Sequence, residues 1–145
     1  MTTVAEILKS KPEAKVHSVA PSDTVLTALK LMADKHIGAL LVMEGERIAG
    51  IFTERDYARK VVLLGRASID TPVREVMTSA VRFVHPSNSA EQCMALMTEN
   101  RLRHLPVLDG ERVVGLVSIG DLVKSVISAQ QFIITEMERY ITGAH

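Results

Sequence analysis

The chain is 47% hydrophobic and 23% charged, which is the composition of a folded globular protein and argues against a disordered chain. Its 145 residues are enough for one ordinary domain or for two small repeats that share a core. Its seventeen basic residues balance seventeen acidic ones, so it lacks the broad positive field of a protein that binds nucleic acid non-specifically. We therefore expect no nucleic-acid partner.

The N-terminal segment and the apolar runs bear on the location of the protein in the cell. Residues 1–6 lack the basic segment and following apolar segment of a secretory signal. The longest apolar run, residues 39–43, is too short to span a bilayer. We expect a cytoplasmic protein with no membrane partner. Cys93, the single cysteine, excludes an internal disulfide and is interpreted as a core residue.

Two short helices are predicted, one ahead of each half of the chain. Thr3 and Glu6 have the spacing of a capping box, in which each side chain accepts from the other residue's backbone N–H. They predict a helix through about Lys9. A second short helix is predicted over residues 73–77, because Pro72 is suited to a first helical turn.

An internal repeat organises the chain. Residues 16–62 align without a gap on residues 81–127, and chance similarity does not keep one register over that length. Identical pairs include Pro21/Pro86, Leu31/Leu96, Met32/Met97, Gly45/Gly110, Arg47/Arg112, Gly50/Gly115 and Asp56/Asp121.

The two copies show the same series of elements. Short strands (16–19 and 81–84) precede helices (24–36 and 89–101), continuous apolar strands (39–43 and 104–108), a tight turn and returning strands (47–53 and 112–118). A last helix begins at Glu54 or Ile119. The predicted fold class is α+β: two β-α-β-β-α repeats, in residues 1–65 and 66–145, packed sheet to sheet with pseudo-twofold symmetry.

The second copy continues into a long amphipathic helix over residues 122–141. Ile127, Ile134 and Ile141 lie one heptad apart on it, and such an apolar stripe needs a partner. We expect self-association as a homodimer. The alternative is that the helix folds back on its own repeat.

Residues 50–56 and 115–121 are the candidate functional stretches. In each, a hydroxyl residue precedes an aspartate by three positions, Thr53 with Asp56 and Ser118 with Asp121. That spacing is first of all typical of a helix cap, which needs no ligand. It also suits a nucleotide, because a helix N-terminus and a hydroxyl bind phosphate and a carboxylate accepts from the ribose hydroxyls.

Taken together, the duplicated unit, the two Gly-x-x-Thr/Ser-x-x-Asp stretches and the Arg-His-Leu-Pro-Val segment at 103–107 resemble the CBS domain, named for cystathionine β-synthase. The chain is similar to a stand-alone tandem pair of such domains, a Bateman module, over nearly its whole length. The resemblance implies a non-enzymatic regulatory protein that binds adenosine nucleotides in clefts between the repeats and signals to an effector.

The resemblance also implies two nucleotide sites. The first consists of Thr53, Arg55, Asp56, Ala80, Leu102, Arg103 and His104. The second consists of Ser118 and Asp121, with an opposite wall of Lys15, Ile37, Gly38 and Ala39.

The two sites are expected to differ in charge. In the alignment, Arg55 corresponds to Gly120, and the pair Arg103 and His104 corresponds to Gly38 and Ala39. The first site is therefore expected to bind a charged nucleotide, AMP, ADP or ATP. The second is expected to bind more weakly, or to take a dinucleotide such as NAD or NADH.

Two other hypotheses stay open, a structural dimerisation module without a ligand and a small enzyme that uses the cleft. The sequence contains no Walker A loop, zinc-protease motif or nucleophile elbow, so we expect no enzyme. Its histidines show no metal-ligand spacing, so we expect no metal. Arg59 and Lys60 are interpreted as an ionic helix face. Asp56→Ala is expected to abolish a nucleotide response with little loss of fold.

Overall fold

The structure is a computed structural model that describes residues 2–12 and 15–142. Within these residues it confirms a mixed α and β fold. The helices are α1 (Val4–Ser10), α2 (Val25–Lys35), α3 (Glu54–Asp56), α4 (Ala90–Asn100) and α5 (Ile119–Thr142). The strands are β1 (Ser18–Val19), β2 (Ala39–Glu44), β3 (Arg47–Thr53), β4 (His104–Asp109) and β5 (Arg112–Ser118). A π-helical segment, Tyr57–Val62, follows α3, and Val73–Glu75 forms a 3-10 turn.

The strands form two small sheets. β1 runs parallel to β2, β2 runs antiparallel to β3, and β4 pairs with β5. The strand predicted over residues 81–84 is reduced to one bridge, between Val84 and Val107. Val84 donates its N–H to the carbonyl of Pro106 at 3.0 Å. Pro106 has no N–H of its own, so it cannot extend that ladder.

Helices α2 and α4 confirm the predictions over residues 24–36 and 89–101. Each begins at a hydroxyl N-cap, Thr24 or Ser89, whose side chain accepts a backbone N–H of the first turn. Each ends at a residue in the left-handed region, His36 or Arg101, both at φ 55°. The matching caps explain why the two copies have helices of equal length.

The chain divides into two compact units. The Asp121 unit contains the described residues within 1–14, 84–107 and 115–145, and the Asp56 unit contains those within 15–83 and 108–114. These units follow spatial contacts, whereas the ranges 1–65 and 66–145 were predicted from sequence repeats. That sequence division stays a prediction.

Each short helix is bonded to the repeat that it does not precede. In the Asp121 unit, Val4 donates its N–H to the carbonyl of Asn88 at 2.8 Å, and Ala5 donates to that of Pro86 at 3.0 Å. The Asp56 unit shows the same two bonds, from Val73 to Asp23 at 2.8 Å and from Arg74 to Pro21 at 3.1 Å. Val73 therefore takes the place of Val4.

A close-packed apolar core stabilises the Asp56 unit. It consists of Val19, Val25, Ala28, Met32, Leu40, Val42, Phe52, Val61, Val73 and Val76. In β2, Leu40, Leu41 and Val42 are all fully buried, which confirms a strand buried on both faces. Met32, Met97 and Cys93 are buried, as expected for core side chains.

Helix α5 confirms the predicted long C-terminal helix. Its first turns contain the fully buried Leu122, but most of its apolar stripe is exposed, including Ile127 (58%), Ile134 (48%) and Met137 (59%). The described part of the chain contains no helix that is both long and apolar enough to cross a membrane.

Candidate functional site

The first helix start is held by Thr53 and Asp56. The Asp56 carboxylate accepts the Thr53 N–H at 3.0 Å and the Thr53 hydroxyl at 3.2 Å, and the Asp56 N–H donates to that hydroxyl at 3.2 Å. The Glu54 N–H donates to the carbonyl of Gly38 at 3.1 Å. The capping interpretation of this stretch is therefore confirmed.

Two more groups donate to the Asp56 carboxylate. The Thr78 hydroxyl lies 3.0 Å and the Lys60 ammonium 3.2 Å from its Oδ1 atom. The pair with Lys60 spans four residues of one helical segment, as expected for an ionic helix face. The Asp56 side chain is only 9% exposed, so a buried charge is balanced by several donors.

Thr78 was not predicted from the sequence. It reaches Asp56 because residues 77–79 lie along β3: Thr78 and Ile51 exchange both backbone N–H···O bonds, at 2.8 and 2.9 Å. Gly50 makes this close approach possible, since a Cβ atom there would lie 2.8 Å from the carbonyl oxygen of Thr78.

The second helix start repeats this geometry. The Asp121 carboxylate accepts the Ser118 N–H at 2.8 Å, and the Asp121 N–H donates to the Ser118 hydroxyl at 3.2 Å. The Ile119 N–H donates to the carbonyl of Arg103 at 2.8 Å, as that of Glu54 does to Gly38. The two stretches are thus duplicates in structure as well as in sequence.

The second carboxylate has a lysine partner from a distant part of the chain. The Lys11 ammonium, at the end of α1, lies 3.0 Å from Asp121 Oδ2 and donates to the carbonyl of Leu116 at 2.8 Å. The sequence prediction assigned Lys15 to the Asp121 site and did not include Lys11. The exchanged position of α1 brings Lys11 to Asp121 instead.

His104 lies in the electrostatic field of the same carboxylate. It starts β4, and burial lowers the pKa of its imidazole, while the negative charge of Asp121 raises that pKa and the positive charges of Lys11 and Arg103 lower it further. Since burial is the largest cause, His104 is held mainly neutral near pH 7.

Acidification is therefore expected to destabilise the fold through His104. The unfolded chain has the ordinary histidine pKa of 6.5 and binds the proton more readily than the folded chain, so the free energy of unfolding falls as the pH drops below that value. Urea unfolding between pH 7.5 and 5.0 is expected to show a smaller loss for His104→Gln than for the wild type. Equal losses in the two proteins would contradict this role of His104.

The structure brings some predicted site residues together within one unit. Gly38 and Ala39 adjoin the first helix start, where Ala39 pairs with Thr53, and Arg103 and His104 adjoin the second. Within its own unit, Ala80 is exposed, like Arg55 and Lys15, and Ile37 and Leu102 are half-buried. The predicted pairing of Arg103 and His104 with Asp56, and of Lys15 and Ile37 with Asp121, joins different units and stays a prediction.

A cavity of about 490 Å³ lies in the Asp121 unit. Its lining includes Lys11, Asp121 and Lys124. A second cavity, about 940 Å³, lies in the Asp56 unit beside the turns that follow β2 and β4. None of the predicted site residues lines that second cavity. Among residues 2–12 and 15–142, no group of three or more His, Cys, Asp or Glu side chains is placed to hold a metal ion.

The chain is similar in sequence to known proteins. The sequence profile of the CBS domain matches residues 4–63 and 73–128. The mitochondrial CBS domain-containing protein CBSX3 of Arabidopsis thaliana is 38% identical over 152 residues, which cover 99% of this chain and 74% of that protein.

Solved structures show the same likeness. A structure described as that of a signal-transduction protein with CBS domains, from Burkholderia ambifaria MC40-6, is 62% identical, with a TM-score of 0.86, and the match covers 89% of this chain and 96% of the other. A structure of CBSX2 in complex with AMP has a TM-score of 0.73 at 23% identity, and the match covers 90% of this chain and 99% of the other.

Proposed function

Because the chain belongs to the CBS-domain family, we propose that it is a non-enzymatic regulatory protein that binds an adenosine nucleotide. The observation that carries this proposal is the duplicated helix start. In each copy the aspartate carboxylate accepts the N–H of the hydroxyl residue, at 3.0 Å for Asp56 and 2.8 Å for Asp121. In each copy the aspartate N–H also donates to the hydroxyl, at 3.2 Å in both. A pair of matched carboxylates beside helix N-termini suits two similar ligands.

The chemistry of each stretch fits the two ends of a nucleotide. An ionised carboxylate has about four lone-pair sites, so ribose hydroxyls can bind Asp56 or Asp121 by replacing some of the donors that each carboxylate accepts here. The backbone N–H groups of a helix start and its dipole attract phosphate. A protein of this fold, CBSX2, has been solved in complex with AMP, which supports the proposal of an adenosine ligand.

The proposed first site consists of Thr53, Asp56 and the exposed Arg55, completed by residues 80 and 102–104. The proposed second site consists of Ser118 and Asp121, completed by residues 15 and 37–39. A nucleotide with one or more phosphates is the proposed ligand of the first site, and NAD or NADH is an alternative ligand of the second.

A specific observation favours a second candidate function, that of a dimerisation module without a ligand. The Asp56 carboxylate already accepts from Thr53, Thr78 and Lys60, so it fulfils a structural role on its own. The exposed stripe of α5 would meanwhile be covered by a second copy of the chain. The two candidates differ in whether a nucleotide stabilises the folded state.

Thermal unfolding with a panel of ligands distinguishes them. AMP, ADP, ATP, NAD, NADH and S-adenosylmethionine are each added at increasing concentration, with GMP and inorganic phosphate as controls. A ligand at a hundred times its Kd stabilises the folded state by about 2.7 kcal/mol, which raises Tm by roughly 5–10 °C for a chain of this size. We expect such a rise with at least one adenosine ligand and none with the controls.

The other outcomes assign the other functions. A dimer in sedimentation velocity whose Tm responds to no ligand would favour the dimerisation module. Chemical turnover of a bound nucleotide would favour the enzyme hypothesis.

A further inference from the structure

The two helix starts differ in the segment that crosses each of them. The Asp121 carboxylate is bound by Lys11 of the segment that follows α1, whereas the Asp56 carboxylate is bound by Thr78 of the segment that follows the 3-10 turn. The crossing segment therefore supplies an ammonium to one carboxylate and a hydroxyl to the other. The alignment of the repeats alone does not show this difference.

Lys11 holds the carboxylate oxygen that a ligand would need. Its ammonium lies 3.0 Å from Asp121 Oδ2, the same oxygen that accepts the Ser118 N–H at 2.8 Å. Two neighbouring ribose hydroxyls bind a carboxylate best through both of its oxygens. A ribose that enters this site therefore competes with Lys11.

The surrounding cavity can receive the displaced ammonium. It is about 490 Å³ in volume, and its lining adds Lys124 and the hydroxyl residues Ser10, Ser125 and Ser128 to Lys11 and Asp121. The Lys11 side chain is 28% exposed and that of Asp121 is 18% exposed, so their ion pair is open to an incoming solute. Glu6 also lines the cavity, but the two ammonium groups and several hydroxyls of the lining suit a phosphate group.

We propose that Lys11 is a latch of the second nucleotide site: it occupies Asp121 when no ligand is present and moves to the phosphate of the nucleotide when the ribose takes its place. This inference rests on the proposed function, since it assumes an adenosine ligand at Asp121. It makes the second site selective for phosphorylated ligands, because a nucleoside without phosphate displaces Lys11 and offers it no new partner.

The test is the ratio of two dissociation constants, that of adenosine to that of AMP, measured by calorimetry. Lys11→Gln removes both the competitor of the ribose and the partner of the phosphate. Adenosine is therefore expected to bind more tightly, whereas the affinity for AMP rises less or falls. The ratio is expected to fall about tenfold, the size expected for one charge-assisted hydrogen bond. Lys124→Gln weakens only AMP. Lys9→Gln, an exposed lysine on the same helix, is the matched control and leaves the ratio unchanged.

Two further variants show whether a change in the ratio comes from Lys11 acting on Asp121, from a change in folding or from the other site. Lys11→Arg keeps the charge and is expected to keep the wild-type ratio within about twofold. In an Asp121→Asn background, Lys11→Gln is expected to give no gain in adenosine affinity, because Lys11 then has no carboxylate for which it competes with the ribose.

Failure of the latch and failure of the proposed function give different results. If the wild type binds AMP but Lys11→Gln behaves like Lys9→Gln, or binds adenosine more weakly than the wild type, the latch is wrong and the proposed function stands. If the wild type binds neither adenosine nor AMP, the latch is wrong; the proposed function is overturned as well only if ADP, ATP and NAD also fail to bind.

Discussion

Asp56→Ala is expected to lower the free energy of unfolding by about 3 kcal/mol, because it removes the acceptor of several partly buried donors at once. The Thr53 N–H and the hydroxyls of Thr53 and Thr78 all point at this carboxylate, at 3.0 to 3.2 Å. The Lys60 side chain is 41% exposed, so its ammonium can bind water instead, and most of the loss comes from the other donors. Urea unfolding at pH 7 measures the change.

Two variants serve as controls for Asp56→Ala. Asp34→Ala removes a carboxylate that is 74% exposed, and it is expected to change stability by less than about 0.5 kcal/mol. Asp56→Asn keeps one acceptor oxygen at the site and is expected to lose less than the alanine variant. An alanine variant as stable as Asp34→Ala would contradict the role of Asp56 as the centre of the cap.

This expectation revises the one drawn from the sequence, which gave Asp56→Ala little effect on the fold. With Thr78 and Lys60 also bound to the carboxylate, loss of ligand binding in that variant would not separate a ligand contact from a folding defect. The asparagine variant is the better probe of the first site, provided that its stability is measured alongside.

Gly50→Ala is expected to destabilise the fold by about 2–3 kcal/mol, an effect of overpacking. A Cβ atom at Gly50 would lie 2.7 Å from the Met77 sulfur and 2.8 Å from the carbonyl oxygen of Thr78. The backbone cannot give way there without breaking the two bonds between Thr78 and Ile51, and any shift also draws the Thr78 hydroxyl from Asp56. Urea unfolding again measures the loss.

Gly115 and Gly120 are the controls for this substitution. At Gly115 the clash is with the methyl groups of Leu8, at 2.6 and 2.8 Å, and a half-buried side chain can turn away, so Gly115→Ala is expected to cost only about 1 kcal/mol. At Gly120 in α5 a Cβ atom meets only the Ser118 hydroxyl, at 3.6 Å, and alanine is the better helix former. Equal losses at Gly50 and Gly115 would contradict the backbone clash.

The sequence predicts the elements of this fold well because the signals are local. Thr3 with Glu6 and Ser89 with Gln92 form capping boxes, which are visible as residue types three positions apart. The unbroken apolar run after Gly38 predicts a strand buried on both faces, and β2 confirms it. The repeat supplies each of these signals twice.

The partners of the two carboxylates could not be predicted in the same way. Lys11 reaches Asp121, and Thr78 reaches Asp56, through backbone hydrogen bonds of the exchanged segments. Backbone bonds of this kind leave no periodic pattern of side chains.

Calorimetric titration of the folded chain with AMP tests the central claim most directly. The proposed function predicts saturable binding of AMP or of another adenosine nucleotide, no binding of GMP under the same conditions, and recovery of the ligand unchanged. A folded chain that gives no saturable heat with AMP, ADP, ATP or NAD, and no rise in Tm with any of them, would contradict it.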